Sequence, residues 1–160
     1  MLFRSLPAAI DYIQEHKLNE HFGPDQGDIG IIMQGGMYNN VMRALQRMGL
    51  ADLYGDSKVP LYVMNVTYPL VPDEIVDFCA DKKAVLMVEE GQPACLEEAV
   101  ASLLFKHKIN TDLAGKGVLP LAGELTGQVM LDGLRSFITS HAPHLVNDQH
   151  RAPNAPQLLP

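Results

Sequence analysis

Cysteine is scarce in this chain of 160 residues: only Cys79 and Cys95 occur, sixteen positions apart, with no CxxC and no paired histidine pattern beside them. That excludes a zinc or iron–sulfur site built from this chain alone, and both cysteines read as buried thiols in a reducing compartment. Positive charge is also short, with 12 Lys and Arg against 19 Asp and Glu and a formal charge of −7. Nucleic acid is therefore not an expected partner, because phosphate-backbone affinity rests on clustered Lys and Arg. No apolar run approaches the ~18 residues of a membrane span, and the N-terminus lacks a basic region followed by an apolar core of signal-peptide length. The expectation is a cytoplasmic protein with no membrane partner. With 47% hydrophobic and 19% charged residues, the chain can bury a core without disulfides or metals.

What is present begins with Gly27–Leu50, GDIGIIMQGGMYNNVMRALQRMGL. Ile29, Ile31, Ile32 and Met33 form a short apolar run, as in a strand covered on both faces of a mostly parallel sheet. Gly35 and Gly36 break it. Tyr38, Val41, Leu45 and Met48 then recur at helical spacing on one face, and Gly49 is placed to end the helix. Two more βα units follow. The first has a strand over Leu61–Val66 and a helix started by Pro72-Asp73-Glu74, with Ile75, Val76 and Phe78 in it. The second has a strand over Ala84–Val88, a turn at Gly91–Pro93, and a helix whose core face is Leu96, Val100, Leu103 and Leu104. Strands alternating with helices imply parallel crossovers.

The flanks are plainer. Residues 2–19 place Leu2, Leu6, Ile10 and Ile13 on one stripe of a short amphipathic helix, with Ser5 and Pro7 near its start. His21–Gly27 reads as a turn or connector. Ile109–Leu113 is a candidate short strand, and a last helix is expected from Thr126 to about Ser140 with Met130, Leu134, Phe137 and Ile138 inward. From Ala142 the chain turns Pro-rich, with four prolines in nineteen residues, and reads as a tail or linker. The expected architecture is a three-layer α/β/α sandwich with a mostly parallel sheet. Its organisation is an N-terminal helix and connector (1–26), an α/β domain (27–142) and a Pro-rich linker or tail (143–160).

Ligands of open parallel sheets sit beyond the carboxyl ends of the strands. Three segments fall there: Gln34-Gly35-Gly36-Met37-Tyr38-Asn39, Thr67-Tyr68-Pro69 and Glu89-Glu90-Gly91-Gln92. Gly35 and Gly36 can let backbone amides at a helix start approach an anion, or can serve turn geometry or a domain contact, since the pair lacks the spacing of GxGxxG or GxxxxGK[ST]. Glu89 and Glu90 can supply a general base or hold a metal-bound ligand, or can be the polar end of a buried strand. Adjacent strand residues point to opposite faces, so the two do not form a facing pair. The six histidines read as solvated, without ligand spacing. No GxSxG elbow is present, and neither cysteine neighbours a histidine.

The succession IGIIMQGGMYNNVMRALQRMGL, LYVMNVTYPLVPDEIVDF, VLMVEEGQP and GELT resembles the transketolase C-terminal-like domain of the indolepyruvate ferredoxin oxidoreductase alpha subunit family, over about residues 1–142. The resemblance implies a thiamine-diphosphate-dependent 2-oxoacid oxidoreductase that decarboxylates an aryl pyruvate, passes electrons through iron–sulfur clusters to ferredoxin and delivers the acyl group to coenzyme A. The chain lacks the family's GDG and downstream Asn for magnesium and diphosphate, its pyrimidine-domain glutamate and its cluster cysteines. It reads as a domain excised from a longer polypeptide, or as a truncated or split subunit, noncatalytic and inactive alone. No catalytic residue, metal ligand or bound cofactor is assigned. Gly35, Gly36, Tyr38, Asn39, Thr67, Tyr68, Glu89 and Glu90 are candidates for cofactor-binding or interdomain contact. Implied partners are the neighbouring thiamine-diphosphate-binding domains, the beta subunit and ferredoxin. An apolar patch left open by absent neighbours can drive homodimerisation in isolation. Two other readings remain: a free-standing nucleotide or coenzyme A binder, and the equivalent domain of a transketolase or a 2-oxoacid dehydrogenase beta subunit.

Overall fold

A computed structural model describes residues 2–146, with side chains described from residue 5 onward. Five strands form one sheet in the order β1-β3-β2-β4-β5: β1 (Glu20–Phe22), β2 (Ile29–Gln34), β3 (Leu61–Met64), β4 (Ala84–Val88) and β5 (Asp112–Ala114). β3, β2, β4 and β5 run parallel, and β1 pairs antiparallel with β3 at the edge, Phe22 opposite Leu61. Every residue of β3 and β4 is buried, as a strand covered on both faces requires.

Strand alternation sorts the core into two clusters. Ile29, Ile31 and Met33 face α2 (Tyr38–Arg47) and α5 (Gly127–His141), where Val41, Leu45, Leu134 and Phe137 pack. Ile32, Tyr62, Met64, Val85 and Met87 face α3 (Pro72–Cys79) and α4 (Cys95–His107), through Ile75, Phe78, Val100 and Leu104. The three-layer sandwich follows from these two faces. α2 ends as its sequence predicts: Gly49 has φ +70°, Leu50 N donates to Leu45 O (2.9 Å), and Gly49 N to Gln46 O (3.0 Å). A left-handed residue at that point is cheapest as glycine.

The structure departs from the sequence reading at several points. His21–Gly27 opens inside strand β1, whose three residues EHF are too few to show an alternating pattern. α1 runs Leu2–Glu15 with Pro7 inside it rather than at its start; Ile13 is buried, Leu6 is exposed, and the side chain of Leu2 lies outside the described residues. Ala142 is buried, and Pro143–Leu145 form a 3₁₀ turn packed on α5, so the Pro-rich tail does not begin at Ala142. Residues 147–160 of that segment lie outside the described residues. Cys79 is buried as expected, with its thiol pushed up to about 12 by burial, but Cys95 is exposed at the first position of α4. No helix among the described residues is long and apolar enough to cross a membrane.

Candidate functional site

The sheet order places a switch point between β2 and β4. The chain leaves β2 into α2 on one face and leaves β4 into α4 on the other, so the two outgoing loops diverge. Crevices of this kind are where open α/β sheets hold ligands. Here the chain's own groups hydrogen-bond across it, with Glu90 exposed. Gln34, the last residue of β2, accepts from Glu90 N at its Oε1 (3.0 Å). Glu90 in turn accepts from Leu125 N at its Oε1 (3.0 Å), and the Leu125 carbonyl accepts from Asn40 Nδ2 of α2 (3.0 Å). Leu125 thus has both backbone groups held while its side chain is buried in the α2/α5 core.

Glu89 turns toward the opposite layer. Its Oε1 accepts from Leu96 N (3.0 Å) and its Oε2 from Glu97 N (3.2 Å), so one buried carboxylate takes two first-turn amides of α4. Those amides have no intrahelical partner, and a negative group at a helix N-terminus is stabilising. Lys116 joins the same corner: its backbone N donates to Glu97 Oε2 (2.8 Å) and its Nζ to Gly91 O (2.7 Å). Both candidate carboxylates are therefore engaged by backbone amides, in different directions.

The remaining candidates disperse. Gly35 lies against Asn65, where a Cβ would fall 2.6 Å from Asn65 Oδ1, so its glycine is a matter of space. Gly36 is open, with nothing within 4 Å of a Cβ position. Tyr38 is half-buried and packs on Phe22, ring centroids 5.0 Å apart, on the core side of α2. Asn39 is exposed, and its neighbour Asn40 makes the contact with Leu125. At the end of β3, Thr67 is half-buried and Tyr68 is 78% exposed.

A second polar group escaped the sequence reading. Asn19, buried beside β1, donates from Nδ2 to Tyr62 OH (3.0 Å) and Glu74 Oε2 (3.2 Å), while its Oδ1 accepts from Val66 N (3.1 Å). Tyr62 donates its hydroxyl to the same Glu74 Oε2 (2.7 Å), and burial followed by that carboxylate pushes its ionisation far above the ordinary tyrosine range. The His21 ring lies tilted against Tyr62, 4.8 Å between centroids, and partial desolvation lowers its pKa. A tyrosine inside a strand is the only signal in the sequence, since its partners lie 43 and 12 positions away. Nearby, Lys82 is buried over the Phe78 ring (4.6 Å) with Asp81 at 2.7 Å, in space left by Gly30. The Asp81 side chain of this pair is partly open to solvent.

Glu89 and Glu90 both accept from backbone amides, and no three His, Cys, Asp or Glu side chains converge as metal ligands among the described residues.

No protein-family model matches the chain. It is 31% identical over 109 residues to indolepyruvate oxidoreductase subunit IorA of Methanothermobacter thermautotrophicus, covering 66% of this chain and 16% of that protein. IorA of Methanothermobacter marburgensis is 29% identical over 150 residues, covering 90% of this chain and 22% of that protein. IorA of Pyrococcus horikoshii is 27% identical over 121 residues, covering 76% and 18%. The chain thus spans 16–22% of the length of these curated relatives. Among solved structures it is similar to a split-gene transketolase, described as an inactive beta4 tetramer, with TM-score 0.50 and 21% identity over 71% of this chain and 39% of that one. The chain is a distant relative of one part of the IorA subunits and has the fold of part of a transketolase.

Proposed function

We propose that this chain is a noncatalytic structural and interdomain module of a cytoplasmic thiamine-diphosphate-dependent 2-oxoacid:ferredoxin oxidoreductase. The observation that carries the reading is the hydrogen-bonded linkage of the strand-end loops at the β2/β4 switch point. Gln34, Asn40 and Glu90 tie the outgoing loops to Leu125, and Glu89 is consumed in capping α4. Side chains committed in this way position loops. The similarity to 16–22% of the length of the IorA subunits adds the context of a longer enzyme. For that enzyme the reading implies decarboxylation of indolepyruvate or another aryl pyruvate with thiamine diphosphate, which supplies the carbanion chemistry, and with iron–sulfur clusters, ferredoxin and coenzyme A completing the reaction. This chain's share is to present its strand-end loops, Gly36 and Tyr68 foremost, to the neighbouring cofactor-binding domains.

The test pairs an activity measurement with a binding measurement. The isolated chain, supplied with thiamine diphosphate, magnesium, coenzyme A, indolepyruvate and an artificial electron acceptor, is expected to show no turnover. Its melting temperature is expected to stay unchanged in coenzyme A or nucleotide. A ligand present at one hundred times its Kd adds about 2.7 kcal/mol of stability, so such a rise replaces the module reading with a ligand binder. Turnover by the isolated chain removes the reading altogether.

A further inference from the structure

A charge is buried at the end of the sheet away from the strand-end loops. Lys82, two residues before β4, is 4% exposed, and its Nζ lies 2.7 Å from Asp81 Oδ1 and 4.6 Å from the centre of the Phe78 ring. Gly30 of β2 makes room for it, since a Cβ there would fall 2.8 Å from both Lys82 Cδ and Phe78 Cζ. A glycine inside a central strand weakens that strand, and a buried ion pair adds little stability over an apolar pair of the same volume. Stability alone therefore does not account for the arrangement. An ammonium has three N–H donors. Asp81 takes one and the face of Phe78 attracts the charge, so Lys82 keeps capacity for a further acceptor.

Lys82, Phe78 and Asp81 wall a recess of about 270 Å³ at the amino ends of β3 and β4, near the lower end of the size of small-molecule sites. Phe22, Pro24 and Pro60 add apolar wall. Asp25 and Asp77 add two exposed carboxylates that make no hydrogen bond or ion pair among the described residues. His21 completes the titratable groups of the lining, and its lowered pKa leaves it neutral at pH 7. One buried ammonium thus faces the same space as three carboxylates. A simple anion meets the carboxylates and a simple cation meets the ammonium, whereas a molecule carrying both charges satisfies both. We propose that this recess binds a small zwitterion, an apolar α-amino acid, with its carboxylate accepting from Lys82 Nζ, its ammonium toward Asp25 and Asp77, and its side chain against Phe22 and Pro60. The inference stands apart from the oxidoreductase reading, whose contact loops lie at the carboxyl ends of the strands.

The full chain is titrated with L-leucine and followed by proton–nitrogen correlation NMR. N-acetyl-L-leucine, which lacks the ammonium, and L-leucinamide, which lacks the carboxylate, are the matched probes. Leucine is expected to give saturable shifts at amides of His21–Asp25 and Asp77–Lys82. Each blocked probe is expected to bind about tenfold or more weakly, the loss of one charge-assisted hydrogen bond. Asp25→Asn combined with Asp77→Asn, both at exposed positions, is expected to keep the fold and to lower the affinity for leucine to that for N-acetyl-leucine. Lys82→Met, which keeps an unbranched stem, is expected to lower it to that for leucinamide; if this variant does not fold, the asparagine variant decides. Equal affinities of the parent for the three probes overturn the proposal. Leucine that leaves these amides unshifted, or shifts them without saturation, also overturns it.

Discussion

At the residue scale, His21 shows how position changes the meaning of a side chain. It reads as a solvated connector histidine, and it is exposed, but it sits in β1 with one side of its ring against Tyr62 and 6.0 Å from that of Phe78. Partial desolvation of the ring against Tyr62 lowers its pKa below 6.5; Glu74 opposes this, Lys82 adds to it, and Asp25 opposes it. The unfolded chain therefore binds this proton at a higher pH than the folded one. Stability contributed by neutral His21 is complete above pH 6.5 and is lost as pH falls through 6.5 toward the folded pKa. The urea midpoint of the parent is expected to fall between about pH 7.5 and about pH 5.5 by more than that of His21→Gln, a window that lies above ordinary carboxylate titration. Equal slopes for the two proteins contradict the assignment. Asn39 and Asn40 make the same point without charge. One step along a helix turns a side chain by about 100°, so adjacent asparagines have different neighbours, and only the folded structure tells which one reaches Leu125.

At the scale of elements, α4 depends on a residue outside it. Its N-cap position is Ala94, which supplies no side-chain cap, and Glu89, six residues before the helix, takes the Leu96 and Glu97 amides instead. Because the carboxylate is buried, Glu89→Ala leaves those donors unpaired, with an expected cost of about 3 kcal/mol in a denaturant titration, and Glu89→Gln costs less because it keeps one acceptor. An alanine variant as stable as the parent returns Glu89 to the list of groups free for chemistry. The helices α2, α4 and α5 are legible in the sequence because long amphipathic periods repeat, and β4 because five apolar residues stand between polar ends. β1 is not, since three residues at a sheet edge carry too little pattern and owe their extended form to the pairing with β3.

At the scale of the whole molecule, the sheet centre decides stability. Ile31 is fully buried in β2, between β3 on one side and β4 on the other. Ile31→Asp places an uncompensated carboxylate there, and the expected outcome is loss of the cooperative thermal transition, read by circular dichroism. A variant that melts with the parent shows that β2 is not the centre of the core.

The order of strands and helices, the two-sided burial of the central strands and the three-layer class follow from hydrophobic period and glycine punctuation, which are local and written along the chain. The linkage of the strand-end loops does not. It joins Gln34 to Glu90 across 56 positions, Leu125 to Glu90 across 35 and Leu125 to Asn40 across 85. A side chain's hydrogen-bond partner is set by which strand ends the sheet brings together, and that is a property of the folded whole. The tertiary structure alone decided that two carboxylates at a strand end, equally suited in sequence to catalysis, hold backbone amides in opposite layers.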